Sequence, residues 1–256
     1  MGTRQRGPTQ HPPQPGGGEK PGVAARVLSR IIERSARLQG PAVRAYLERL
    51  RNAHPGAAPA AIVAKLEKHY LATVTVSGAT VGSLALLPGI GTLVALAAIA
   101  GETVVFLEAT ALFVLAVAEV HGIPAEDRER RRALVLAVLV GNDGKRAMAE
   151  LLGSGRTNGA WLSEGAAALP LPAVAELNSR LLRFFVKRFA VRRTALAFGK
   201  LLPVGLGAVV GGVGNRFMGK KIIGNARKAF DAPPARWPVT LHLLPSLSDA
   251  DARSGA

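Results

Sequence analysis

Metal-binding and nucleophilic side chains are sparse in this sequence and do not cluster. The chain has 256 residues and no cysteine, which excludes a disulfide framework, a thiolate nucleophile and any zinc site that uses cysteine. Its five histidines lie far apart and form no pair at the spacing that binds a metal on a helix. We therefore expect no metal and no cofactor.

Two local motifs match functional signatures in part, but each lacks an essential residue. The segment Gly214–Lys220 fits the G-x-x-x-x-G-K pattern of a phosphate-binding loop. However, Lys221 stands where the loop needs a Ser or Thr hydroxyl for magnesium, and no strand precedes it. Ser154, between two glycines, has no pattern of His and acid partners that would activate it. We therefore expect that the protein is not an enzyme.

Acidic residues interrupt the longest apolar stretch of the chain. No Lys, Arg, Asp or Glu occurs from His69 to Gly101, and only Glu102 and Glu108 carry charge between there and Glu119. An ionised acid at mid-bilayer costs about 2.5–3.5 kcal/mol on insertion scales, so it faces a polar cavity or a partner. The alternative is a segment that is shallow or packed within protein. The different helical faces of Glu102 and Glu108 argue against a proton relay.

A turn divides this apolar stretch into two arms. Pro88, Gly89 and Gly91 lie together, and Pro lacks a backbone donor while Gly accepts turn conformations. The arms, 71–87 and 92–118, would be about 26 and 40 Å long as helices. A hydrocarbon core is about 30 Å thick, so each arm could span or deeply enter a bilayer. The pattern predicts a membrane hairpin with its turn at these residues.

Small residues recur four positions apart in two apolar segments. Gly78 and Gly82 form one pair, and Gly207 and Gly211 form another. This spacing lets helix backbones approach closely, in membrane helix pairs and in soluble cores alike. We therefore expect these four glycines to lie at helix–helix contacts.

Positive charge flanks the apolar stretch and is absent from it. The formal net charge is +16, yet 48% of the residues are hydrophobic. Residues 69–122 contain three acidic and no basic side chains, so all 33 basic residues lie outside. The positive-inside rule then predicts that both ends of the hairpin face the cytoplasm. Anionic lipid headgroups would attract the basic flanks, by about 1 kcal/mol for each Lys or Arg near the surface.

A basic amphipathic helix is predicted over residues 176–193. Arg180, Arg183 and Lys187 share one side, which makes them a candidate surface for anionic lipids; a solvated face over a helical core is the alternative. The opposite, apolar side contains Leu177, Leu181, Phe184 and Phe185. Nucleic acid is not favoured as a partner, because the basic regions have few aromatic residues and no recognised binding motif.

The elements that position these residues are predicted to be helices throughout. Apolar residues recur at three- and four-residue steps, no convincing period-2 strand is present, and Gly and Pro mark the breaks. We expect an all-α domain over 22–230, with a central apolar helical hairpin and a second Gly-rich apolar helix. A disordered Pro/Gly-rich arm, 1–21, precedes it and a flexible Pro-containing tail, 231–256, follows. The expected helices cover 23–38, 41–52, 59–70, 71–87, 92–118, 132–140, 145–152 and 173–199, with an apolar segment at 201–214 and a basic helix ending at residue 230.

Several of these motifs, in their order, resemble the EcsC protein family over roughly residues 60–230. The matching segments are Leu87–Gly91, Glu119–Gly122, Leu202–Gly205, Gly207–Gly211 with Asn215, and Ala226–Phe230. The family commonly has an aromatic residue where this chain has His121. The resemblance implies a bacterial, helical, membrane-associated protein. Because the family takes its name from a member encoded with an ABC transporter linked to secretion, it also implies a transporter as a partner. It supplies no catalytic residues.

The sequence therefore predicts a membrane-associated helical accessory or scaffold protein on the cytoplasmic face of the bacterial inner membrane. One alternative is a soluble, cytoplasmic all-α interaction module in which the apolar helices form a buried core. Another is a carrier of lipid or a small apolar ligand, with the glycine-rich helices lining a cavity.

Overall fold

The computed structural model describes residues 40–84, 92–123, 127–152, 170–200 and 206–238. Of this part of the chain, 86% is helical and none forms a β-strand, which confirms the prediction of an all-α fold. The hairpin turn predicted at Pro88, Gly89 and Gly91 lies outside the described residues, as do the predicted arm 1–21 and the predicted helix 23–38.

Seven helices make up the described part of the chain. The first, α1, covers residues 40–52. The others are α2 (Pro59–Leu84), α3 (Thr92–Val120), α4 (Arg128–Val140), α5 (Asn142–Leu152), α6 (Leu171–Lys200) and α7 (Leu206–Phe230).

Two of these helices each join two segments that the sequence pattern predicted as separate elements. The expected helix 59–70 and the first apolar arm form the single helix α2, and the Gly-rich segment and the basic helix form the single helix α7. In both places the apolar face changes character, but no Pro interrupts the backbone hydrogen bonding, and α7 continues through Gly211, Gly212 and Gly214. A change in composition alone therefore does not end a helix.

Capping groups define both ends of α4. Asp127 precedes it, and its side-chain Oδ1 accepts hydrogen bonds from the backbone N–H groups of Glu129 (2.8 Å) and Arg130 (3.2 Å). Gly141 follows it with φ of 72°, and its N–H donates to the carbonyl of Ala137. Two features exclude a side chain at Gly141. Its positive φ favours glycine, and a Cβ there would lie 2.7 Å from the Asn225 amide nitrogen.

The core surrounds the C-terminal half of α3. Phe106, Val114 and Ala118 are among its fully buried residues. Tyr70 of α2 stacks on Phe113 at 4.8 Å between ring centroids, and its hydroxyl bonds with that of Thr110 at 2.9 Å. The most extensive helix contact is between α2 and α7, while α4 packs mainly on α6.

Residues 231–238, the described part of the predicted flexible tail, lie against the helices. The indole Nε1–H of Trp237 donates to the carbonyl of Ala57 at 3.1 Å, and the Arg51 guanidinium lies 4.3 Å from the ring centroid. Pro238 contacts Gly122, where an added Cβ would lie 2.8 Å from its ring. Within residues 231–238 the prolines thus accompany a segment that contacts the helices through Trp237, and the rest of the predicted tail lies outside the described residues.

Candidate membrane-contact surface

One end of the helix bundle is almost free of charged residues. It consists of residues 71–84 of α2, 92–105 of α3 and 206–215 of α7, and we call it the apolar end. Among these 38 positions Glu102 is the single ionisable residue. The three segments converge on Asn215, whose Nδ2 donates to the carbonyl of Val74 on α2 at 2.9 Å and to Glu102 on α3 at 2.6 Å.

Glu102 lies inside the protein and not on the surface. Glu102 is only 2% exposed to solvent, and the Asn215 side-chain amide donates a hydrogen bond to its Oε1. The sequence left two interpretations of Glu102, an acid within a bilayer that faces a cavity or partner and an acid packed within protein. Its surroundings in the structure are those of an acid packed within protein. The residues around Glu102 in the sequence do not indicate that Asn215 is its hydrogen-bond partner. The one sequence signal for Asn215 is its position four residues after Gly211, which continues the small-residue series.

The glycine pairs predicted to pack lie on α2 and α7, which cross antiparallel. A Cβ at Gly78 would lie 2.5 Å from the carbonyl oxygen of Gly211 and 2.6 Å from the Asn215 amide nitrogen. Gly82 is also buried, whereas the surroundings of Gly207 are outside the described part of the structure. Glycine therefore allows the two backbones to touch at the position where Asn215 must reach across.

The hydroxyl groups of the apolar end on α2 are all hydrogen-bonded within the helix. Each of the five Ser and Thr residues between 71 and 84 donates to a carbonyl three or four residues earlier. The pairs are Thr73 with His69, Thr75 with Leu71, Ser77 with Val74, Thr80 with Val76, and Ser83 with Thr80, at 2.6–3.2 Å. Because these donors are satisfied internally, the helix presents little unmet hydrogen-bonding demand to apolar surroundings.

Large apolar side chains on the outer faces of α2 and α7 are exposed to solvent. Val76 is 63% exposed, Val213 61% and Phe217 69%. On α7, positions 213, 216, 217 and 220 share a face, so exposed Arg216 and Lys220 lie beside the exposed apolar pair. Helix α7 contains five basic residues and no acidic residue. The outer face of α7 thus combines apolar side chains with positive charge.

The basic surface predicted on α6 is partly neutralised. Arg180 forms ion pairs with Glu176 at 2.6 Å and with Glu150 at 2.9 Å, and the hydrogen bond to Glu176 is the main cause that raises the Arg180 pKa. Arg183 is exposed, and the Lys187 side chain lies outside the described residues. The positive charge of Arg180 is therefore balanced by two carboxylates.

The predicted apolar side of α6 is corrected at one position. Leu177, Leu181 and Phe185 are buried, but Phe184 is 46% exposed. Phe184 stands seven residues after the buried Leu177 and so lies on nearly the same face of α6, which means that helical position alone does not decide which residues of this face are covered.

The second arm of the predicted hairpin is largely enclosed by protein. Within the described residues, one helical segment, Ala100–Val120, is long and apolar enough to cross a membrane, and 61% of its apolar window is buried inside the protein. The second half of α3, from Phe106 onward, packs into the core described above. The composition of this segment would suit a bilayer, but the fold encloses most of it in protein.

Comparison of the chain with protein-family models, with curated proteins and with solved structures found no match.

Proposed function

We propose that the protein is a membrane-associated helical accessory or scaffold protein that inserts its apolar end into one face of a bilayer. The observation that carries the proposal is the nearly charge-free composition of this end, in which Glu102 is internal and hydrogen-bonded to Asn215. Hydrocarbon tolerates polar groups poorly unless they are satisfied within the protein. The internal hydrogen bonds of the α2 hydroxyls meet the same requirement.

The exposed side chains on α7 support binding at the lipid–water boundary. Burying a Val or Phe side chain contributes about 1.5–3 kcal/mol, so Val213 and Phe217 favour entry into the apolar layer. Arg216 and Lys220 would each add about 1 kcal/mol near anionic headgroups. Together they favour a bilayer with negative surface charge.

The burial of α3 favours insertion of the apolar end from one side of the bilayer rather than a helical hairpin that crosses it. The residues of α3 beyond Phe106 pack against other helices, and exchanging those contacts for lipid would dismantle the core. The resemblance to the EcsC family agrees with membrane association. From that resemblance and the charge distribution we infer a location on the cytoplasmic face of the bacterial inner membrane. The resemblance also suggests a membrane-protein partner such as a transporter.

Vesicle flotation tests the proposal directly. The full chain is mixed with vesicles of phosphatidylcholine alone or with added phosphatidylglycerol, and the fraction that floats with lipid is measured. We expect flotation that increases with anionic lipid. Val76→Asp and Phe217→Asp should each reduce it, because each places a charge at an exposed apolar position, Val76 within the apolar end and Phe217 just beyond it on α7.

Ala61→Asp is the matched control for Val76→Asp, because Ala61 is an exposed residue on the same helix but outside the apolar end. It should leave flotation unchanged. If the full chain stays with the soluble fraction for both vesicle types and purifies without detergent as a stable monomer, the membrane proposal is wrong. The soluble interaction module would then be the better description.

A further inference from the structure

A cleft opens at the opposite end of the bundle from the apolar end. It has a volume of about 390 Å³ and lies between the first half of α2, the last residues of α3 and α7, and residues 231–233. Its walls are mostly apolar, with Val63, Phe113, Val117 and Phe230 among them. Small-molecule sites are typically clefts of ~300–1,000 Å³ with apolar walls and a few polar groups.

Arg227 and Glu67, both on the cleft wall, form an ion pair with each other. The Arg227 guanidinium binds the Glu67 carboxylate through two nitrogens, with Nε donating to Oε1 at 2.7 Å and Nη2 donating to Oε2. This hydrogen bonding is the main cause that raises the pKa of Arg227. Because each group neutralises the other, neither is the natural counter-charge for a bound molecule.

His121, also on the wall, has one nitrogen without a partner. Its Nδ1 lies 2.8 Å from the carbonyl of Val117, which can only accept, so Nδ1 carries the proton. The ring lies 5.3 Å from that of Phe230. Within the described structure the other nitrogen, Nε2, is buried and makes no hydrogen bond. In the neutral ring Nε2 is an acceptor, and a buried acceptor without a donor is unusual.

Asp231 supplies a second acceptor at the mouth of the cleft. It follows the last residue of α7 in a left-handed conformation, with φ of 64°, and is exposed. It forms no ion pair with the described side chains. Among the described residues that line the cleft, Asp231 thus offers a carboxylate that is open to solvent, whereas the unpaired His121 Nε2 is covered by the wall.

We propose that this cleft binds a small molecule with a ring-sized apolar body and a protonated amine. The body lies among Phe113, Val117 and Phe230, and the ammonium group is directed to the accessible carboxylate of Asp231. A ligand carboxylate would meet the Asp231 charge and would find Arg227 already occupied by Glu67. The cleft lies outside the apolar end, so the proposal does not depend on membrane binding.

Three ligands that share an indole ring test this chemistry. Tryptamine has an ammonium group, tryptophol a hydroxyl and indole-3-acetate a carboxylate. Their dissociation constants for the full-length protein are measured by calorimetric titration at neutral pH. We expect tryptamine to bind at least about tenfold more tightly than indole-3-acetate, with tryptophol between them. Equal or tighter binding of the carboxylate, or no binding of any of the three, would overturn the proposal.

Three substitutions test the location and the charge preference of the site. Ala64→Trp should abolish tryptamine binding, because Ala64 lines the cleft. Ala61→Trp, at an exposed position one turn earlier on α2 and outside the lining, should preserve it. Asp231→Asn keeps a residue that tolerates the left-handed conformation, and it should weaken tryptamine while leaving tryptophol unchanged. Unchanged tryptamine binding in Ala64→Trp, or equal losses for both ligands in Asp231→Asn, would contradict the assignment.

Discussion

The side-chain amide of Asn215 on α7 donates a hydrogen bond of 2.6 Å to the carboxylate of Glu102 on α3. Both residues are buried, and the same amide nitrogen also donates to the Val74 carbonyl of α2. A single Asn thus links three helices at the point where the apolar end meets the core. The approach of α7 to α2 at Gly78 makes this link possible.

Replacing Asn215 by Leu is expected to destabilise the fold. The substitution removes two buried hydrogen bonds while leaving their acceptors in place, at a cost of about 1–3 kcal/mol for a buried group that loses its partner. Urea unfolding followed by circular dichroism measures the change. Glu102→Gln is the matched control, because the amide oxygen of Gln can still accept from Asn215. A loss in Asn215→Leu no greater than in this control would show that the bond contributes little.

Replacing Gly78 by Ala is expected to separate α2 from α7. The new Cβ would lie 2.5 Å from the Gly211 carbonyl oxygen, which is backbone and cannot rotate away. Overpacking of this kind costs about 1–3 kcal/mol. Gly224→Ala on α7 meets nothing within 4 Å and should instead stabilise by roughly 0.5–1 kcal/mol, through the helix preference for Ala. Thermal unfolding of the two variants should therefore shift in opposite directions, and equal shifts would refute the close contact.

Replacing Asp127 by Ala is expected to weaken the start of α4. Two backbone N–H groups lose their acceptor, which typically costs about 1 kcal/mol. Asp127→Asn retains an oxygen at the same position and should lose only a few tenths of this amount. Hydrogen exchange at Glu129 and Arg130 localises the effect. Slow, unchanged exchange at these amides in the Ala variant would indicate that the cap is dispensable.

Replacing Trp237 by Ala is expected to release residues 231–238 from the helices. Trp237 both donates to Ala57 and lies under the Arg51 guanidinium. Cleavage by trypsin after Arg236 should become faster, because residues 231–238 would detach from the helices more often and expose the Arg236 peptide bond to the protease. Trp237→Phe keeps an aromatic ring for Arg51 but has no donor, so its rate should be intermediate. If all three proteins are cut at one rate, the segment is not held by this residue.

The all-α fold was predictable from local information. The steps of three and four between apolar residues, with Gly and Pro at the breaks, indicate most helix positions, because helix periodicity is a property of neighbouring residues. The spacing of Gly78 with Gly82, and of Gly207 with Gly211, indicated close packing without naming a partner helix. Helix length was less predictable, as α2 and α7 show, since a change from a charged to an apolar face leaves backbone hydrogen bonding intact.

The sequence by itself determined the helical class and the separation of charge from the apolar segments, because both depend on residue type and short spacing. Tertiary structure alone decided which helices meet. It paired Gly78 with Gly211, placed Asn215 on Glu102 across 113 positions of the chain, and enclosed half of an apolar helix that composition assigned to lipid. It also formed the cleft beside His121 from segments remote in sequence. Water and lipid select the same apolar residue types for burial, so only the packing of the folded chain distinguishes a helix in a core from a helix that faces a membrane.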